Sequence, residues 1–231
     1  MRRIACISFV IFFALAPLAA AENPRLLVVD VPPPPAVTEV IAPYNTIFLN
    51  RCASGCTVTG PGTTDSRIDK SEIVSGSHVL TKFTYGDATW NSLVACVRDV
   101  FSPFNVQVTD VDPGSANHFE IMIGGNPQDL GFGSNVGGVS ANGCGDTYIP
   151  NALVFDFADV WSSSSTTCGT AGLEDMCATA AQEIGHSFGM DHSHNSGDPM
   201  TYFNFVGRKY FQNSADQCGS DCVSGTGPMG N

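Results

Sequence analysis

Between Asp99 and Gly207 the sequence carries no lysine or arginine, against ten aspartates and three glutamates, and the formal net charge of the whole chain is −12. Such a balance repels phosphate backbones, which excludes nucleic acid as a partner. Cationic peptides or bound calcium would suit it, and a plain acidic solvated surface accounts for it equally well. Charge is scarce altogether, at 14% of residues, while glycine reaches 24 and proline 14. That mix excludes a helical bundle or a disordered chain and leaves a loop-rich globular protein. No Cys-x-x-Cys pair occurs, which argues against a thiol redox enzyme or a zinc ribbon. No internal repeat is visible, and no segment after the first 21 residues is long and apolar enough to cross a bilayer.

What is there begins with a leader. Arg2 and Arg3 precede an apolar stretch over 4–18, followed by Ala19-Ala20-Ala21 and Glu22. This reads as a signal peptide over 1–21, cleaved near Ala21/Glu22. The stretch is shorter than the ~20 residues of a membrane span, so no stable membrane anchor is expected. Its loss removes two positive charges and takes the formal charge from −12 to −14. Cys6 lies inside the apolar stretch, not just after the cleavage site as a lipid-anchored cysteine would. Removing Cys6 from the nine cysteines leaves eight, at 52, 56, 96, 144, 168, 177, 218 and 222. An even count behind a leader implies disulfides made in an oxidising compartment, and hence a secreted protein, extracellular or periplasmic. Spacing selects no connectivity, although 52/56 and 218/222 could close local loops.

The chain of 231 residues, 43% of them apolar, suffices for one large domain with a real core. Residues 22–80 read as a Pro- and Cys-containing N-terminal segment, a propeptide or an arm. Its Pro32–Pro35 run favours extended backbone, and 42–80 reads as irregular. A compact unit is expected from about Phe83, within a domain spanning 81–231. Asp87 can cap a helix over about 88–101, whose buried face is Trp90, Leu93, Val94, Val97, Val100 and Phe101. Pro103 stops it. Strands are expected around Val106–Val108, at Phe119–Ile123, around 138–141 and over 152–157. A second helix is expected over about 173–188, ended by Gly189.

That second helix carries the sequence AAQEIGHSFGMDH. Positions four apart share a helix face, so Gln182 and His186 point the same way, with Glu183 beside them. A sharp turn at Gly189 brings His192 back toward the same point. Three neutral donors with one open position are how a catalytic zinc site is built. Glu183 would take the proton of an attacking water and pass it to the leaving amine.

The pattern Glu183, His186, Gly189, His192, with Met200 downstream, resembles the metzincin zinc metalloproteases, whose signature is H-E-x-x-H-x-x-G-x-x-H followed by a methionine turn. The resemblance covers about 182–202 in motif and 80–205 in layout. It implies an α+β, zincin-like fold: a twisted, mostly parallel sheet, two main helices and an irregular C-terminal subdomain, stabilised by disulfides. It implies Zn2+ held by position 182, His186 and His192, with Met200 as an apolar floor. Tyr202, two residues on, resembles the tyrosine of the astacin and serralysin branches, which contacts zinc or the oxyanion. Gln182 departs from the motif, because an amide oxygen is a weaker zinc donor than imidazole. Three readings stay open: Gln182 ligates; it stands behind a set completed by Tyr202 or His194; or zinc binding is lost.

The implied function is a secreted zinc endopeptidase acting on protein or peptide substrates. The alternative is an inactive binding module of the same fold, and beyond it a disulfide-rich structural protein. His78 and His118 read as ordinary surface histidines. Asp110-Val111-Asp112-Pro113-Gly114 hints at Ca2+, without the glutamate that an EF-hand loop places at its twelfth position. Cys52 or Cys56 could mask zinc as a latency thiol, although the even count favours a disulfide.

Overall fold

A computed structural model describes residues 25–30, 44–142, 148–161 and 170–216. The signal-peptide segment, Cys144, Cys168, Cys218 and Cys222 lie outside the described residues.

The fold is α+β. Strands β1 (Arg25–Asp30), β2 (Thr46–Asn50), β5 (Gln107–Thr109), β6 (Phe119–Gly124), β7 (Val136–Asn142) and β8 (Leu153–Phe157) form one sheet in the order β1-β7-β8-β6-β2-β5. Every neighbouring pair is parallel except β7 with β8. Strands β3 (Cys56–Gly60) and β4 (Gly76–Leu80) form a separate antiparallel hairpin. The helices are α1 (Gly86–Val100), the single turn α2 (Ala158–Trp161) and α3 (Thr170–Ser187).

All six residues of β6 and all five of β8 are buried, because both faces of the sheet are covered. The period of two then sorts the side chains. Phe119, Ile121, Ile123 and Val154 join the core under α1 and α3, whereas Met122, Leu153, Phe155 and Phe157 join the core under the β3–β4 hairpin. Each such side chain contributes about 1.5–3 kcal/mol when fully buried. Two disulfides are described. Cys52–Cys56 closes a short loop, and Cys96–Cys177 ties α1 to α3. The second spans a sequence separation of 81, and a loop of that size stabilises by about 4–5 kcal/mol in the chain-entropy account.

Several expectations are corrected. The compact unit begins before Phe83: β2 lies between β6 and β5, so Ile47 and Leu49 are core residues. The run is too short to announce itself, and its strand character comes from pairing with residues far along the chain. Asp87 does not cap α1. The N-cap is Tyr85, without a side-chain cap, and Asp87 sits in the first turn, paired with Arg51 at 2.7 Å. Its charge complements the helix dipole there. Cys52 and Cys56 are bonded to each other, which removes both as latency thiols. His118 is 1% exposed rather than a surface residue; its Nδ1 lies 2.8 Å from the Ala116 carbonyl and its Nε2 3.7 Å from Glu120. Half-buried His78 is held between the carbonyls of Asp129 and Ser75, each at 3.0 Å.

Candidate functional site

Helix α3 lies against β7, β8 and β6 and ends as its sequence requires. Gly189 takes φ +90°, its N–H bonding the His186 carbonyl at 2.9 Å while the Met190 N–H reaches the Gly185 carbonyl at 3.1 Å. This is a Schellman closure, and glycine meets its left-handed position without a Cβ penalty. The turn sends the chain back along the helix. His192 reaches His186, the two rings meeting edge to face with centroids 4.8 Å apart, and the Tyr202 ring lies tilted against His192 with centroids 4.2 Å apart.

The methionine turn is built by two devices. Asp198 is 6% exposed and accepts from the Met200 N–H and the Gln212 N–H, both at 2.8 Å. One carboxylate thus shapes the turn and ties it to the C-terminal segment. Met200, fully buried, then packs its sulfur on Gly185, where an added Cβ would stand 2.5 Å from Sδ. Gly185 is therefore a fitted position. Its sequence signal was its place inside the motif helix, one residue before His186.

Within this frame the polar groups are oriented and buried. The His186 Nδ1 lies 2.8 Å from the Met190 carbonyl. A carbonyl can only accept, so Nδ1 carries the proton and Nε2 carries the lone pair. Burial, and then the neighbouring His192, push the His186 pKa down to about 3. Burial alone takes His192 down to about 4. Both imidazoles are neutral, as metal ligands must be. Among the described residues, neither ring nitrogen of His192, neither amide atom of Gln182 and neither oxygen of Glu183 has a hydrogen-bond partner, although all are buried. Leaving such groups unsatisfied costs about 1–3 kcal/mol each.

Glu183 lies on the sheet side of this cluster. A Cβ at Gly138 would come within 2.6 Å of its Oε1 and of the Thr179 Cγ2, so β7 admits the carboxyl only because position 138 is glycine. Burial raises the Glu183 pKa well above the ordinary value, and the carboxyl of Asp156 adds to the rise. The Ser140 hydroxyl opposes the shift without closing a hydrogen bond of normal geometry. Asp156 is itself fully buried and accepts from the Trp161 indole N–H at 3.1 Å. Gly138, Asp156 and Asp198 were not singled out from the sequence for these roles. Only the pairing of Gly138 with Asp156 across β7 and β8 reveals two of them.

A cavity opens beside the cluster, lined by Trp161, Thr179, Gln182, Tyr202, Phe203 and Lys209 among others. The His194 ring meets that of Phe203 edge to face, with centroids 5.9 Å apart. In the 110–114 loop, whose sequence only hints at Ca2+, Asp110 is paired with Arg98 at 3.1 Å and Asp112 accepts from the Gly114 N–H at 2.6 Å.

No protein-family model matches the chain, and no curated protein is significantly similar to it. Among the described residues no three His, Cys, Asp or Glu side chains converge as a metal cage. The donor set is instead two histidines with a glutamine. It fits zinc in its neutral imidazoles, in the tautomer enforced at His186 and in the unbonded amide of Gln182. It falls short in the donor strength of that amide. Among the described residues no helix is long and apolar enough to cross a membrane.

Proposed function

We propose that this protein is a secreted zinc-dependent endopeptidase with a metzincin-like site, Gln182 taking the place of the first motif histidine. One observation carries the reading: His186, His192 and Tyr202 meet at the end of α3, with Met200 seated on Gly185 beneath them. His186, His192 and the Gln182 oxygen would hold the metal. When bound, zinc supplies a Lewis acid for a peptide carbonyl and acidifies water. Glu183 takes a proton from the attacking water at its carboxylate and returns it to the leaving amine. It can do so only in the ionised form, which a neighbouring positive charge favours over the buried acid. The Tyr202 phenol, whose ring packs against that of His192, donates toward the oxyanion. The Met190 carbonyl holds the His186 ring in orientation. The disulfides suit an oxidising compartment, in keeping with secretion.

A second reading, a binding module without turnover, is favoured by the seat of Glu183, whose carboxyl packs against Gly138 and which burial pushes toward the protonated form. Metal analysis of the secreted form, joined to casein and gelatin digestion before and after chelation, separates the two. Stoichiometric zinc with chelator-sensitive cleavage is the expected result. Zinc without cleavage selects the module, and neither zinc nor cleavage removes both the enzyme and the metal.

A further inference from the structure

After the methionine turn the chain runs without helix or strand over residues 201–216. The path of Tyr202 is therefore set by bonds to side chains and to isolated backbone groups. Lys209 makes two of these bonds. Its Nζ donates to the Phe203 carbonyl at 2.9 Å and to the Thr201 carbonyl at 3.4 Å, the carbonyls on either side of Tyr202. The Thr201 hydroxyl accepts from the Phe203 N–H at 3.2 Å. An ammonium has three donors and no acceptor, so one lysine can close on two carbonyls at once. The base of the lysine arm is fixed on both sides. Arg208 is paired with Glu174 of α3 and Asp99 of α1, and the Tyr210 N–H bonds the Gly197 carbonyl at 2.9 Å. Burial opposes the charge of Lys209, whereas the carboxyls of Asp175 and Asp198 favour it. Lys209, Tyr202, Phe203 and Asp175 line the cavity beside Gln182, so the clasp is part of the wall that a peptide ligand would meet.

We propose that Lys209 is a positioning residue for Tyr202, its ammonium holding the carbonyls of Thr201 and Phe203 so that the phenol ring stays against His192. The kinetic consequence rests on the peptidase reading, in which the Tyr202 phenol donates to the oxyanion. Without the clasp the backbone on either side of Tyr202 loses a tie, and the phenol spreads over a range of positions. A donor stabilises the oxyanion only from hydrogen-bond distance of the charge that develops. A displacement of about 1 Å can cost on the order of a hundredfold in rate. The oxyanion forms only as the reaction proceeds, so such a loss falls on kcat and leaves KM nearly unchanged. Lys209 acts through Tyr202, so its removal costs nothing further once the phenol hydroxyl is gone. A lysine that merely stabilised the fold would lower the rate alike with and without that hydroxyl.

The test uses the full secreted chain with Lys209→Met, which keeps the length of the arm without its donors, and Lys209→Arg, which keeps donors for both carbonyls. Proton NMR of the His192 ring, assigned by the signals missing from His192→Gln, reports the ring current of Tyr202. In Lys209→Met these signals should move toward their positions in Tyr202→Ala, and in Lys209→Arg they should stay near those of the parent. With fluorescein-labelled casein as substrate, Lys209→Met should lower kcat by on the order of tenfold or more at nearly constant KM. Lys209→Arg should retain most of the rate. Added to Tyr202→Phe, Lys209→Met should change the rate by less than about twofold. His192 signals that Lys209→Met leaves in place would overturn the proposal. So would an equal loss of rate in the parent and Tyr202→Phe backgrounds. If Lys209→Met is not secreted, Lys209→Gln, with a shorter and neutral arm, takes its place in each comparison. A parent protein that never cleaves casein removes the peptidase reading, and the His192 signals then decide the role of Lys209.

Discussion

The two halves of α3 are built on opposite terms. The first half is tied down by a disulfide and ion pairs. Cys177 is bonded to Cys96 of α1, and Glu174 is paired with Arg208, which also reaches Asp99 at 2.8 Å. The hydroxyl of Tyr210 donates to the same Asp99 at 2.6 Å. The second half, from Gln182, carries a buried amide and a buried carboxyl without hydrogen-bond partners, beside two neutral histidines. A helix keeps such groups in place only if something else over-determines its position, and the first half does that. Stability is concentrated where chemistry is absent, and the unsatisfied groups are gathered where chemistry is proposed.

The sharpest way to break this contrast is Glu183→Ala. If water activation runs through the carboxylate, turnover should fall at least ~100-fold, the usual scale for a general base, while zinc content and melting temperature hold. An unchanged rate in a casein assay removes Glu183 from the chemistry.

Gln182→His probes the weakest donor of the second half. It should tighten zinc by tens-fold, on the order of what altered ligand support costs in known sites. Gln182→Ala should loosen it. Competition with a coloured zinc chelator measures both. Equal affinity in all three forms would show that the amide is not a ligand, and would return Tyr202 to consideration as the third donor.

Acid should reach the second half before the first. The folded pKa values of His186 and His192, about 3 and about 4, lie below the ordinary 6.5. The unfolded chain therefore takes up protons from about pH 6.5 downward while the folded state refuses them. Stability is lost as pH falls through that window, by about 1.4 kcal/mol per unit for each histidine. The raised carboxyls of Glu183 and Asp156 act in the opposite sense above the ordinary carboxylate range, where the folded state holds protons that the unfolded chain has released, and so offset part of the histidine slope. Between pH 7 and pH 5 the chelated protein carries both contributions, and the difference in melting slope between the parent and His192→Gln isolates the loss that His192 causes on acidification. A slope that His192→Gln leaves unaltered contradicts burial of a neutral His192.

The smallest effect is expected from Arg208→Ala. Its ion pairs are partly exposed, at 29% for Arg208 and 46% for Asp99, and such pairs contribute about 1 kcal/mol or less. Melting should drop slightly and zinc affinity should hold. A marked loss of zinc would mean that the two halves of α3 are coupled more tightly than the contacts suggest.

Local pattern made much of this legible. Trp90, Leu93, Val94, Val97 and Val100 named the buried face of α1, and the alternation of Phe119, Ile121 and Ile123 named the α-helical side of β6. The spacing of Gln182, His186, Gly189 and His192 anticipated a helix, a left-handed turn and a return, all of which are present. What escaped had no local signature. β2 is a three-residue apolar run in polar surroundings. The true start of α1, at Gly86, lay one residue before the acid that looked like its cap.

By itself the sequence determined the period of each long element, the turn at Gly189 and which polar side chains, Gln182, Glu183, His186 and His192, gather around the end of α3, because each depends on residues a few positions apart. The tertiary structure alone decided which cysteine Cys177 meets, that β1 closes the edge of β7, and that Gly138 and Asp156 shape the site. Those relations join residues tens to more than a hundred positions apart. They follow from which strands lie side by side and which faces are covered, and no short-range pattern in the chain encodes that choice.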